Sequence, residues 1–188
     1  MAALSFQRDI RPMPLPIAHG LVGTSIVAAA LPDFSPARNW KLLLLGAALS
    51  ISPDLDYFAG TDWHRSVTHS LIFAAVISVV CFAVAGIEKI RIAIGCAGAI
   101  FSHGLLDFAT TKAMPGVELL WPFSTRRFGL GLIDYYDITK VNPTYFLTEN
   151  VMADLLRAGM VELIIFFPLL LFVFSVKWSI SNRSRRTR

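Results

Sequence analysis

The chain has 188 residues, of which 55% are hydrophobic and 16% charged, with a mean hydropathy of +0.60. Soluble domains carry nearer a quarter charged residues, so the composition excludes an ordinary soluble domain and predicts a single membrane-embedded one spanning residues 1–188. The formal charge of +4 gathers beside apolar runs and in the tail at 179–188, which argues against nucleic acid as a partner and reads as a topology signal.

In chain order, the first sixteen residues carry Arg8, Asp9 and Arg11 and then Pro12, Pro14 and Pro16. They lack the apolar core of a cleavable signal, so the first membrane segment is expected to stay in the mature protein. Five apolar stretches follow, at residues 17–31, 40–52, 69–87, 91–109 and 158–178. A spanning helix needs about 20 residues, which the last three meet. The first two are short, and the second reaches full length only by extending through 53–57 or else lies re-entrant. Cys81 and Cys96 fall inside apolar runs and read as small hydrophobes, not as a disulfide framework. Between the fourth and fifth stretches lies a mixed segment, 110–157, rich in turn formers and in rings such as Trp121, Tyr135, Tyr136 and Tyr145. Amphipathic rings settle at the membrane–water interface, so this segment is expected to form a structured cap over one face. The predicted fold class is all-α, a multi-pass bundle of about five spanning or embedded helices. The basic tail places the C-terminus in the cytoplasm, and counting back through five spans places 53–68 and 110–157 outside. Arg8 and Arg11 would then also lie outside, against the charge rule.

The four histidines and several aspartates fall at helix ends that this topology brings to one face. His19 opens the first span, Asp54 and Asp56 follow the second, His64 and His69 precede the third, and His103 and Asp107 lie near the end of the fourth. His103 and Asp107, four residues apart, project from one side of a helix. Imidazole nitrogen and carboxylate oxygen suit zinc or manganese. Pro53 is expected to end its helix and to leave Asp54 and Asp56 in an extended or turn segment that can aim both at one centre. Helix C-termini favour a bound cation, and ionisable groups near hydrocarbon are paired or functional. His19 alone reads better as a hydrogen-bonded interface residue, and Pro53-Asp54-Leu55-Asp56 alone as a turn. An unpaired Asp107 inside an apolar helix has no such bland account. Arg65 reads as an anion-recognition residue. Arg126 and Arg127 fit either that role or contact with lipid headgroups. Asp134 and Asp137 read as solvated loop residues, with extra metal ligands as the alternative.

Four pieces in order, Ala18-His19-Gly20, Pro53-Asp54-Leu55-Asp56, His64-Arg65-Ser66-Val67-Thr68-His69-Ser70 and Ser102-His103-Gly104-Leu105-Leu106-Asp107, resemble the YdjM-like family of membrane-bound metal-dependent hydrolases. Leu120-Trp121-Pro122-Phe123 is similar to a further family feature, and the resemblance covers about residues 16–132. Ser66 stands where the pattern implies glycine. The resemblance implies a multi-pass protein of the bacterial inner membrane and a metal-dependent hydrolase. The ligand order also loosely resembles zinc-dependent phospholipase C sites, which is an analogy only.

The resulting expectation is an enzyme that hydrolyses an ester or phosphoester of a lipid or lipid-linked substrate. Asp54, Asp56, His64, His69, His103 and Asp107, with His19 a looser member, would hold one or two divalent ions, zinc first and manganese second. Arg65 would steady negative charge, and a non-ligating carboxylate of the Asp54/Asp56 pair would take a proton from water. The alternative is a metal-binding membrane protein or transporter without hydrolysis, or a structural protein whose polar cluster knits helix ends together. The alternative of transport needs polar groups continuing across the bilayer, and Ser78 and Glu162 read as isolated. Membrane lipids are the expected partners, and the sequence leaves the oligomeric state open.

Overall fold

Pro16 opens the first helix, where a missing N–H costs nothing because the first turn has no acceptor for it. The computed structural model describes residues 16–59, 64–110, 112–133 and 151–186. Arg8, Arg11, Asp134, Asp137, Tyr135, Tyr136 and Tyr145 lie outside the described residues.

Helix α1 spans Pro16–Ala30 and α2 spans Pro36–Ile51, again with proline in its first turn. Ser35 precedes α2 in an extended conformation, and its backbone N–H donates to Asn39 Oδ1 at 2.8 Å. The α-helix ends before Pro53 as expected, but the segment that follows is not extended. Ser52 keeps right-handed helical angles, and the chain continues as a 3₁₀ segment over Ser52–Ala59. Pro53 cannot extend the α-helical ladder, lacking an N–H, and the coil tightens instead of opening.

A second short 3₁₀ segment, Val67–His69, leads into α3, Leu71–Ala85. Ser70 caps α3 by accepting from Phe73 N–H at 3.1 Å, and Gly86 ends it with a positive φ of 68°. The third apolar stretch, expected to be long enough to span, therefore yields a helix of 15 residues, about 22 Å at 1.5 Å per residue. After a 3₁₀ turn at Ile87–Lys89 comes α4, Ile90–Thr110. The mixed segment contains an irregular antiparallel pair, β1 at Lys112–Val117 and β2 at Phe128–Leu130, which the sequence did not disclose. Helix α5, Val151–Arg186, starts seven residues before the expected 158 and carries Pro168 within it.

The described residues thus form an all-α bundle with one small ribbon. Helix α1 packs against α2, α4 and α5, while α4 touches α1, α2 and α3. Gly23 and Gly46 let α1 and α2 approach closely, since a Cβ on Gly23 would sit 2.4 Å from Gly46 O. At one end of α1, Val27, Ala28, Leu31 and Phe34 form an apolar core with Leu43 and Ala99. Phe34 meets Phe174 of α5 edge-on with ring centroids 4.8 Å apart.

Large apolar side chains line the outside of α3 and α5, among them Val79, Met160, Ile164 and Phe172, while the four histidines and Asp107 are buried. Water would favour the opposite distribution, and lipid favours this one. Two stretches, Ile87–Thr110 and Leu155–Arg183, are long and apolar enough to cross a membrane.

Candidate metal centre

His103 and Asp107 are four residues apart near the end of α4, so they share a helix face, and both are buried. Gly104 between them is obligatory for the packing: a Cβ there would meet His69 O at 2.5 Å. His103 is oriented by α2, because its Nδ1 lies 2.7 Å from the carbonyl of Ser50. The carbonyl can only accept, so Nδ1 carries the proton and Nε2 holds the lone pair. Below this contact the hydroxyls of Ser50 and Ser102 meet at 3.1 Å and tie α2 to α4.

The 3₁₀ segment after α2 supplies Asp54 and Asp56, and the segment before α3 supplies His69. His69 Nε2 lies 3.3 Å from Asp107 Oδ2 and 3.5 Å from Asp54 Oδ1. His103 Nε2 lies 3.6 Å from each of the same two oxygens. Donors held about 2.0–2.2 Å from a tetrahedral centre are separated by about 3.3–3.6 Å, so the four atoms have the spacing of a zinc-type ligand set. His69 Nε2, His103 Nε2 and both oxygens of Asp107 are buried without a hydrogen-bond partner. Each such orphan costs about 1–3 kcal/mol, more for a charged group, and a divalent cation would satisfy them together. Asp54, His69, His103 and Asp107 thus fit a metal ion.

Asp56, His64 and His69 form a second group. Asp56 Oδ1 accepts from His64 Nδ1 at 2.6 Å, and Asp56 Oδ2 accepts from the Thr68 hydroxyl. His69 Nδ1 faces Thr68 Oγ1 at 3.0 Å and Asp56 Oδ2 at 3.4 Å. Burial opposes the charge on Asp56, but the hydrogen bonds from His64, His69 and Thr68 outweigh it and hold the carboxyl well below the usual carboxylate range. The expectation that Asp54 and Asp56 aim at one centre gives way here. In a 3₁₀ coil of three residues per turn, positions i and i+2 point about 120° apart.

His19 lies outside both groups of donors that converge. It is fully buried, stacks on His103 with centroids 4.1 Å apart, and brings Nε2 to 3.2 Å from Asp107 Oδ1. Arg65 is buried beside the same carboxylates and adopts a positive φ of 68°. Burial pushes its guanidinium down from its ordinary value, Arg127 adds to this, and Asp107, Asp54 and Asp56 oppose it. Arginine nonetheless stays protonated in proteins, so Arg65 is a fixed cation at the centre. Of the two loop arginines, Arg127 donates from Nε to Glu118 Oε1 at 3.2 Å, and Arg126 lies over the Phe128 ring at 5.5 Å. Asp134 and Asp137 lie outside the described residues.

Several residues that shape the site escaped the sequence reading. Glu118 accepts from Ser66 Oγ at 2.8 Å, and its backbone N–H donates to Arg65 O at 3.0 Å. Leu119 O accepts from Leu71 N–H at 3.0 Å, so the loop before Trp121 holds the histidine segment in place. Glu162, read as isolated, is fully buried and accepts from Ala18 N–H at 2.9 Å. It satisfies the free N-terminus of α1 one residue before His19. A lone carboxylate in an apolar helix was the available signal, but its partner is 144 positions away. The Ser50 carbonyl gave no signal at all.

Comparison with known proteins follows the same residues. The sequence profile of a family described as YdjM inner membrane protein matches residues 13–181. The chain is 34% identical over 130 residues to the inner membrane protein YbcI of Escherichia coli (strain K12), which covers 62% of this chain and 72% of that protein. No solved structure matches the chain.

Proposed function

The chain belongs to the YdjM inner membrane protein family, and from that premise we propose that it is a multi-pass, metal-dependent hydrolase of the bacterial inner membrane acting on an ester or phosphoester of a lipid or lipid-linked substrate. One observation carries this reading. Two imidazole nitrogens and two carboxylate oxygens converge with ligand-like spacing, and three of the four are sealed from water without a hydrogen bond.

Asp54, His69, His103 and Asp107 would hold the ion, and zinc suits the mixed nitrogen and oxygen set best, with manganese the second choice. Such an ion, when bound, lowers the pKa of a coordinated water and polarises a phosphoryl or carbonyl oxygen. The protein's own groups do the rest. Asp54 is the one donor of the four that is part-exposed, so the substrate approaches from its side. Its second oxygen, Oδ2, takes the proton from the attacking water. The Arg65 guanidinium stabilises the negative charge that develops on the substrate, as its position beside three carboxylates in a buried setting permits. Leu55 and Phe58 are exposed on the 3₁₀ segment that carries Asp54 and Asp56, and Phe123 is exposed in the neighbouring turn. An apolar rim around a polar centre suits a substrate with a charged head and a hydrocarbon tail.

The test is metal content of the detergent-purified protein by elemental mass spectrometry, beside His103→Ala and Asp107→Ala, followed by a panel of phosphoester lipids. Bound zinc or manganese that both variants lose, with turnover of a panel member by the wild type alone, is the expected result. Metal without turnover on any ester would favour a binding or transport protein, and normal metal in both variants would remove the assignment.

A further inference from the structure

The two donor groups share His69, and the reading above leaves open whether they hold one ion or two. We infer that the protein builds a single metal centre, with Asp56 as a positioning residue that holds the Nδ1 side of His69 through the Thr68 hydroxyl and with Asp56 and His64 excluded as ligands of a second ion. The inference rests on the metal-centre reading and assigns the roles within it.

The contrast between the groups is chemical. In the first, His69 Nε2, His103 Nε2 and Asp107 Oδ2 have no hydrogen-bond partner, and neighbouring donors are 3.3–3.6 Å apart. In the second, His64 Nδ1, His69 Nδ1 and both oxygens of Asp56 each already meet a hydrogen-bonding partner. His64 Nδ1 and Asp56 Oδ1 are 2.6 Å apart, a hydrogen-bond separation with a proton between them. Two atoms ligating one tetrahedral ion at about 2.0–2.2 Å would stand about 3.3 Å apart or more. Asp56 Oδ2 accepts the Thr68 hydroxyl, whose oxygen in turn lies 3.0 Å from His69 Nδ1. A neutral imidazole has one lone pair, so His69 cannot give Nε2 to the first centre and Nδ1 to another ion without losing its last proton.

What remains is the arrangement by which proteins aim a ligating histidine: the far ring N–H points at an acceptor, here the Thr68 hydroxyl that Asp56 in turn holds, which fixes the tautomer and raises the basicity of the ligating nitrogen. His103 is held the same way by the Ser50 carbonyl. Both histidines thus present Nε2 with Nδ1 anchored, His103 by the Ser50 carbonyl of α2 and His69 by the Thr68 hydroxyl, which is bonded in turn to Asp56 of the 3₁₀ segment that continues α2.

The full-length protein in detergent, stripped of metal, is titrated with zinc, with stoichiometry read by elemental analysis and affinity by chelator competition. The wild type is expected to bind one equivalent and His103→Ala none. Asp56→Asn and His64→Gln are each expected to keep one equivalent, with the affinity of Asp56→Asn reduced 10- to 100-fold, the usual effect of losing such a partner. Two equivalents in the wild type, falling to one in Asp56→Asn or His64→Gln, would overturn the inference while leaving the metal reading intact. So would a single equivalent that survives in His103→Ala but disappears in the other two. A lowered melting temperature in Asp56→Asn with unchanged zinc affinity would make Asp56 merely structural and overturn its positioning role. If Asp56→Asn does not fold, His64→Gln still decides the count. No zinc in the wild type would overturn the metal reading and this inference together.

Discussion

His69 shows how much one ring carries at this site: Nε2 faces two carboxylates, Nδ1 faces a third and a hydroxyl, and its backbone carbonyl abuts Gly104. The last contact makes a residue with no side chain indispensable. A methyl group at 104 would sit 2.5 Å from the His69 carbonyl oxygen and would have to push it away, moving the imidazole of the same residue. Gly104→Ala is therefore expected to destabilise the protein by about 1–3 kcal/mol, as overpacking does, and to weaken zinc binding at least tenfold. Thermal unfolding in detergent and chelator competition check the two effects, and unchanged affinity would show that α4 absorbs the methyl without moving His69. Ser66 belongs to the same scale. Its hydroxyl donates to Glu118, so a residue standing where glycine was expected makes a contact glycine could not.

At the scale of elements, short helices are closed by side chains distant in sequence. Glu162 of α5 accepts from the first turn of α1, and at the other end of α1 Lys177 donates to Leu31 O while Ser181 accepts from Phe34 N–H. Helix α5 thus clamps both ends of α1, and the His19 backbone is held at the site by Glu162. Truncating the N-terminal acceptor is expected to cost about 1–2 kcal/mol, in the range of lost caps. Glu162→Ala should therefore melt below Glu162→Gln, which keeps an oxygen acceptor, when both are compared in one detergent; equal melting temperatures would show that the carboxylate acts by charge and not as a cap. The Ser52–Ala59 segment is the other decisive element, since its 3₁₀ coil divides two neighbouring aspartates between the two donor groups.

At the scale of the molecule, the donors come from the end of α2, the approach to α3 and the end of α4, with His19 at the start of α1 stacked on His103, so successive helices run antiparallel and the centre sits at one end of the bundle. An ion there joins three elements, and it stabilises the fold by about 2.7 kcal/mol when free metal exceeds its dissociation constant 100-fold. Chelation should lower the melting temperature of the wild type and leave that of His103→Ala unchanged; equal responses would place the chelator's effect elsewhere. The expected topology puts this end of the bundle outside and the basic C-terminus in the cytoplasm. In a background with Cys81 and Cys96 replaced, Phe123→Cys should react with an impermeant thiol reagent added to the outside of intact cells, and Arg183→Cys only after the cells are opened. The reverse pattern would invert the orientation.

Composition alone placed the chain in a membrane-type helical class, because apolar excess and scarce charge are properties of the list of residues and need no partner. The His103/Asp107 pair was equally legible, since the helical period fixes which side chains share a face. The gathering of the other histidines and aspartates at one end followed from placing each at a helix terminus. What only the tertiary structure decided is which atoms converge. It separated Asp56 from Asp54, set Ser50 O and Thr68 behind the His103 and His69 imidazoles, and gave Glu162 a partner in α1. It also shortened α3 to 15 residues between Ser70 and Gly86. The reason is physical: residue type and period are local, whereas a lone pair's direction depends on a hydrogen bond from another helix, and sequence spacing carries no record of that distance.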